Sequence, residues 1–111
     1  MYGCLRIEDF IPISKLEKLE ILDVRGTYIS DISFLEKNKN IKELRLYYCK
    51  KIKDFTPISK LERLEILDVS STNISDISFL DKNKNIKELI LYGCIYIPII
   101  QKLRRKDIII D

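Results

Sequence analysis

The most reactive side chains in this sequence of 111 residues are three evenly spaced cysteines, Cys4, Cys49 and Cys94, each 45 positions from the next. A thiol acts as a nucleophile when a nearby base holds it as thiolate, and it ligates zinc when further ligands converge on it. Neither use is favoured here. The chain has no histidine, so the usual base and the usual nitrogen ligand are both missing, and no C-x-x-C spacing occurs. Carboxylate pairs exist at the same offset, Glu43 with Glu88 and Asp23 with Asp68. Acid–base chemistry would need one carboxyl of such a pair shielded from water and raised in pKa, and nothing in the sequence supplies that. No Gly-rich phosphate loop is present. The sequence therefore predicts no catalytic residue, no cofactor and no metal, and the chain is not expected to be an enzyme.

The 45-residue spacing belongs to a duplicated block. Residues 7–49 and 52–94 are identical at 34 of 43 positions. Each copy holds two smaller units, since Leu22, Leu44, Leu67 and Leu89 follow one another at 22, 23 and 22 residues. Within Leu61–Leu80 the apolar residues are Leu61, Leu64, Leu67, Val69, Ile74, Ile77 and Leu80. That spacing sustains neither a helix period nor a strand period. It describes a short strand, a turn, and a second apolar segment folded back onto the strand. Such a unit cannot bury its apolar side alone and needs copies stacked on both sides. The competing helical-hairpin reading, suggested by SKLEKLE and SKLERLE, fails because those patches last barely two turns before β-branched residues intervene.

The pattern L-x-x-L-x-x-L-x-L at Leu16–Val24 and Leu61–Val69 continues into I-x-D-I-x-x-L at Ile29–Leu35 and Ile74–Leu80. It resembles the leucine-rich repeat, in its 22-residue, internalin-like class. The resemblance covers nearly the whole chain. It implies an α/β-type repeat solenoid, with short parallel strands on a concave face, 3₁₀ or irregular turns on a convex face, and about four and a half repeats. Strands are expected near Ile21–Val24, Glu43–Leu46, Ile66–Val69 and Glu88–Leu91. Residues 1–97 would form the repeats, with 1–13 a partial first repeat whose own strand is missing. Residues 98–111 would be a half-repeat or cap, in which Asp107–Asp111 adds an edge strand. Asp31, Asp54 and Asp76 are placed to accept backbone N–H groups in Asx-turns on the convex side.

The cysteines occupy the repeat position that is usually Asn, with Thr27 and Thr72 in the alternate units. In the family that side chain turns inward to bond the backbone of a neighbouring coil. Successive cysteines are then two stacking steps apart, roughly 9–10 Å at the spacing of paired strands, whereas a disulfide needs Cα atoms within about 7 Å. Free, buried thiols are expected. They fit a cytoplasmic location, as does the lack of a secretory signal in MYGCLRIEDF; a fragment would leave the compartment open. No apolar run approaches the roughly 18 residues that cross a bilayer, so no membrane contact is expected.

Residues between the buried strand positions would point out of the concave face in columns: Ile21, Glu43, Ile66, Glu88; Asp23, Arg45, Asp68, Ile90; Arg25, Tyr47, Ser70, Tyr92; and Gly26, Tyr48, Ser71, Gly93. Of the nine differences between the two copies, four fall in these columns. Copies that kept their scaffold while altering this face suggest a surface tuned for contacts. Tyr and Arg beside Ile and carboxylates suit recognition of a protein partner. The alternative is a structural piece of a longer repeat array with no ligand of its own. The net charge of +3 comes from 20 basic and 17 acidic residues interspersed along the chain; it reads as a solvated surface, and no nucleic-acid partner is expected. Repeat ends that lack a polar cap expose core. Cys4, Ile7, Phe10 and Ile13 at one end, and Ile108, Ile109 and Ile110 at the other, are therefore candidates for self-association into a homo-oligomer.

Overall fold

The computed structural model describes residues 3–4, 18–24, 29–94 and 109–110, the first and last pairs by backbone alone. Six short parallel strands form one sheet in chain order: β1 (Gly3–Cys4), β2 (Ile21–Asp23), β3 (Glu43–Arg45), β4 (Ile66–Asp68), β5 (Glu88–Ile90) and β6 (Ile109–Ile110). The register follows the repeat. Leu22 pairs with Leu44, Leu44 with Leu67, and Leu67 with Leu89. Each of β2 to β5 buries its central leucine and leaves both flanking residues half-exposed, because successive side chains leave a strand on opposite faces. The fifth strand expected within Asp107–Asp111 is β6, paired with β5 through Glu88↔Ile109 and Leu89↔Ile110.

Behind the sheet the described residues turn back through three 3₁₀ segments, Ser33–Lys37, Thr56–Lys60 and Ser78–Lys82. Asp31, Asp54 and Asp76 open them as expected. Their carboxylates accept the backbone N–H of Ser33 (2.8 Å), Thr56 (3.0 Å) and Ser78 (2.8 Å). Pro57 sits in the first turn of the second segment, where its missing N–H costs nothing. Between sheet and turns the core is layered by repeat: Leu22, Leu44, Leu67 and Leu89 form one buried column, and Ile29, Ile52 and Ile74 another. No layer closes without its neighbours, which is why the unit exists only as a stack.

Polar side chains tie one coil to the next. Cys49 Sγ donates to the Val24 carbonyl (2.9 Å), and Cys94 Sγ donates to Val69 (3.0 Å). Neither thiol is in a disulfide; Cys49 is buried and Cys94 half-buried. Thr72 does not bridge coils in this way: its hydroxyl donates to Val69 of its own repeat (2.7 Å), since the shorter side chain reaches only its own strand. Asn38 and Asn83, which replace a leucine in alternate units, are also buried. The Asn83 side-chain amide donates to the carbonyls of Ile58 (2.9 Å) and Leu61 (3.0 Å) one coil back. Asn38 Oδ1 accepts from the N–H of Asn40 and Ile41.

The N-terminal expectation is corrected. At an offset of 45, Cys4 matches Cys49 and belongs in the thiol column. Instead Cys4 lies in β1, paired with Asp23, four positions out of that register. Backbone pairing explains the shift. The open edge of β2 presents unpaired N–H and C=O groups that any extended segment satisfies, whatever its side chains. Ile7, Phe10, Ile13, Arg25, Gly26, Thr27, Ile108 and the cap at 98–106 lie outside the described residues.

Candidate interaction surface

The sheet face carries its side chains in rows across the strands. Ile21, Glu43, Ile66 and Glu88 are register partners, as are Asp23, Arg45, Asp68 and Ile90. The pairing continues past the strands, where Leu46 N donates to Asp68 O, Tyr48 N to Ser70 O, and Ser71 N to Tyr92 O. Tyr47, Ser70 and Tyr92 thus form a third row, and Tyr48, Ser71 and Gly93 a fourth. The register thus lines up the expected columns as rows wherever their residues are described.

One member is not a surface residue. Ser70 is 1% exposed, and its hydroxyl has no partner among the described residues. Its side chain is too short to project beyond a row flanked by Tyr47 and Tyr92. It belongs to the floor of the surface, not to its contact layer.

The fourth row has a backbone property that the sequence reading missed. Tyr48 (φ 67°), Ser71 (φ 54°) and Gly93 (φ 71°) all adopt the left-handed conformation. That conformation turns the chain off the sheet, and for a residue with a Cβ it costs about 1–2 kcal/mol. The glycines at positions 26 and 93 were the available signal.

Tyr47, Tyr48 and Tyr92 are 39%, 48% and 64% exposed, and they are the large hydrophobic side chains most open to water among the described residues. All three belong to the third and fourth rows. Tyr47 and Tyr48 meet edge to face with ring centroids 5.1 Å apart, and Lys50 Nζ lies 4.7 Å from the Tyr48 centroid, a cation–π contact. Next to them Arg45 donates to Glu43 (2.9 Å) and approaches Asp68 (3.7 Å). Partial burial opposes its charge, but the hydrogen bond to Glu43 and the fields of Glu43, Asp68 and Asp23 outweigh this and raise its pKa.

The outer side offers less. A hollow of about 440 Å³ lies between the second and third 3₁₀ segments, lined by Asp54, Phe55, Thr56, Asn73, Asp76 and Phe79 among others. Its two carboxylates already hold the turns. Among the described residues, no three His, Cys, Asp or Glu side chains converge to hold a metal, and no helix is long and apolar enough to cross a membrane.

A family model for Zer-1-like leucine-rich repeats matches residues 10–92. The chain belongs to the leucine-rich repeat family. Two solved structures from Listeria monocytogenes share its fold. One is an internalin, 32% identical with a TM-score of 0.68, matched over 77% of this chain and 25% of its own. The other is internalin C2, 26% identical with a TM-score of 0.63, matched over 77% of this chain and 42% of its own. This chain thus spans a quarter to two-fifths of the internalins it resembles. No curated protein matches the sequence. Leucine-rich repeats are in general binding modules without enzymatic activity, and this one is a repeat module of the protein-interaction type.

Proposed function

We propose that this leucine-rich repeat chain binds a protein partner on the face of its sheet, through Tyr47, Tyr48 and Tyr92 together with Arg45 and the surrounding isoleucines and carboxylates. One observation carries the reading: the large apolar side chains most open to water among the described residues all belong to the two rows that continue the sheet's pairing. Tyrosine brings contact area with few rotors to freeze, and it is enriched where binding energy concentrates. The reduced, coil-bridging thiols of Cys49 and Cys94 favour a reducing, cytoplasmic setting. The test is a pull-down from host lysate comparing wild type, the double variant Tyr47→Ala/Tyr92→Ala, and an outer-face control, Lys53→Ala/Asn73→Ala. A partner retained by wild type and control but lost by the inner-face variant supports the reading. Equal retention by all three contradicts it.

A second reading, self-association, is favoured by sheet topology. Among the described residues, β1 and β6 stand at the two ends of the strand order, each with one neighbour in the sheet, and such edges invite pairing with another chain. Sedimentation equilibrium at high micromolar concentration should show a dimer or larger species. A monodisperse monomer there would overturn it.

A further inference from the structure

Among the described residues, the charge on the sheet face is opposite in sign to that of the chain. The whole sequence carries +3, yet the described part of this face holds the carboxylates of Asp23, Glu43, Asp68 and Glu88 against the Arg45 guanidinium and the Lys50 ammonium. The surplus is two negative charges. The same face also shows how it accommodates cations. Arg45 is held between Glu43 and Asp68, and the Lys50 ammonium rests over the Tyr48 ring. In the second copy of the block, Ile90 stands where the first has Arg45, beside Tyr92, the most exposed of the three tyrosines.

Resting on the sheet-face reading above, we propose that the partner segment is a basic, extended peptide lying across the strands, its Arg or Lys side chains seated between the carboxylates and over the tyrosine rings. The spacing sets a period. Glu43 and Glu88 lie two strands apart in one row, about 9.6 Å at 4.8 Å per strand. Three residues of polyproline II chain cover roughly 9 Å and return to the same side, so a basic residue at every third position meets successive carboxylates. Apolar residues between them meet Ile66, which stands between Glu43 and Glu88.

The test is fluorescence anisotropy of the full chain with labelled peptides of five Arg-Leu-Ser triplets, five Glu-Leu-Ser triplets, and the arginine peptide with its arginines clustered at one end. The spaced arginine peptide should bind more tightly than either other peptide, and more weakly as salt is raised. Glu43→Gln/Glu88→Gln should weaken it about five-fold, the scale of two exposed charge pairs. The outer-surface pair Glu62→Gln/Asp81→Asn removes the same charge and should change it less than two-fold. Equal binding of the acidic peptide, or equal loss in both charge variants, overturns the proposal; equal binding of the clustered peptide overturns the three-residue period. An unbiased peptide selection separates the levels. Non-basic binders that shield Tyr47 and Tyr92 would refute the basic partner and leave the sheet-face reading standing. Binders that shield only the outer side would refute both.

Discussion

The Cys49 thiol lies 2.9 Å from the carbonyl oxygen of Val24, the last buried residue of the preceding strand segment. One turn of the solenoid is thereby fastened to the next by a side chain usually read as a redox or metal group. Cys94 makes the equivalent bond to Val69, whose carbonyl also accepts the Thr72 hydroxyl. The two thiols differ in burial, Cys49 being buried and Cys94 half-buried. A hydrogen bond that water cannot replace is the costlier one to lose, so Cys49→Ala should cost about 1–3 kcal/mol and Cys94→Ala less. Urea midpoints at constant slope check the order, and equal costs would contradict it.

The left-handed row makes a prediction of opposite sign at adjacent coils. Ser71→Gly relieves a positive φ and should stabilise the chain by about 0.5–1 kcal/mol. Gly93→Ala should destabilise it by about 1 kcal/mol or more: φ is +71°, and the new Cβ would stand 2.9 Å from the Ser71 hydroxyl oxygen. Thermal midpoints of the two variants should move in opposite directions.

Asn83 tests whether buried polarity joins coils. Replacing it by leucine, the residue at the matching position of the preceding unit (Leu61), removes two donors from the carbonyls of Ile58 and Leu61. Each carbonyl keeps a backbone donor, from Leu61 and Leu64 respectively, so the expected loss is about 1–2 kcal/mol, the scale of two net hydrogen bonds less the gain in apolar surface. A neutral Asn83→Leu would show that leucine packing alone suffices at this position.

Acid should loosen the outer turns. The backbone N–H of Ser33, then its side chain, hold Asp31 below the ordinary carboxylate range; the Thr56 hydroxyl, then its N–H, do the same for Asp54. A carboxyl whose folded pKa lies below its unfolded value, about 3.9, stabilises the fold above that pH and ceases to do so as pH falls through the folded value. Asp31→Asn/Asp54→Asn should thus be less stable than wild type at pH 7, with the gap narrowing below about pH 4. A pH-independent gap would place the cost elsewhere.

Much of this architecture was legible in the sequence because the period of the leucines is a direct consequence of stacking. Leu22, Leu44, Leu67 and Leu89 had to share one interior, and their register partners then had to form rows. What escaped reading depends on neighbours or on backbone. Ser70 is covered by its place between two tyrosines, which its own identity does not reveal. Cys4 pairs with Asp23 because an open sheet edge selects by backbone, blind to the repeat alignment that matched it with Cys49. Asn38 and Asn83 were visible as polar residues in an apolar column, yet their partners one coil away became apparent only with the coils stacked. The left-handed row was announced by Gly93 and disguised by Tyr48 and Ser71, which tolerate a similar φ at a cost.

Recognition on the sheet face can be read out by hydroxyl-radical footprinting of the chain alone and bound to a captured partner. Tyr47, Tyr48 and Tyr92 should lose reactivity on binding while Phe34 and Phe79, on the outer 3₁₀ segments, keep theirs. Protection of the phenylalanines with the three tyrosines unchanged would contradict it.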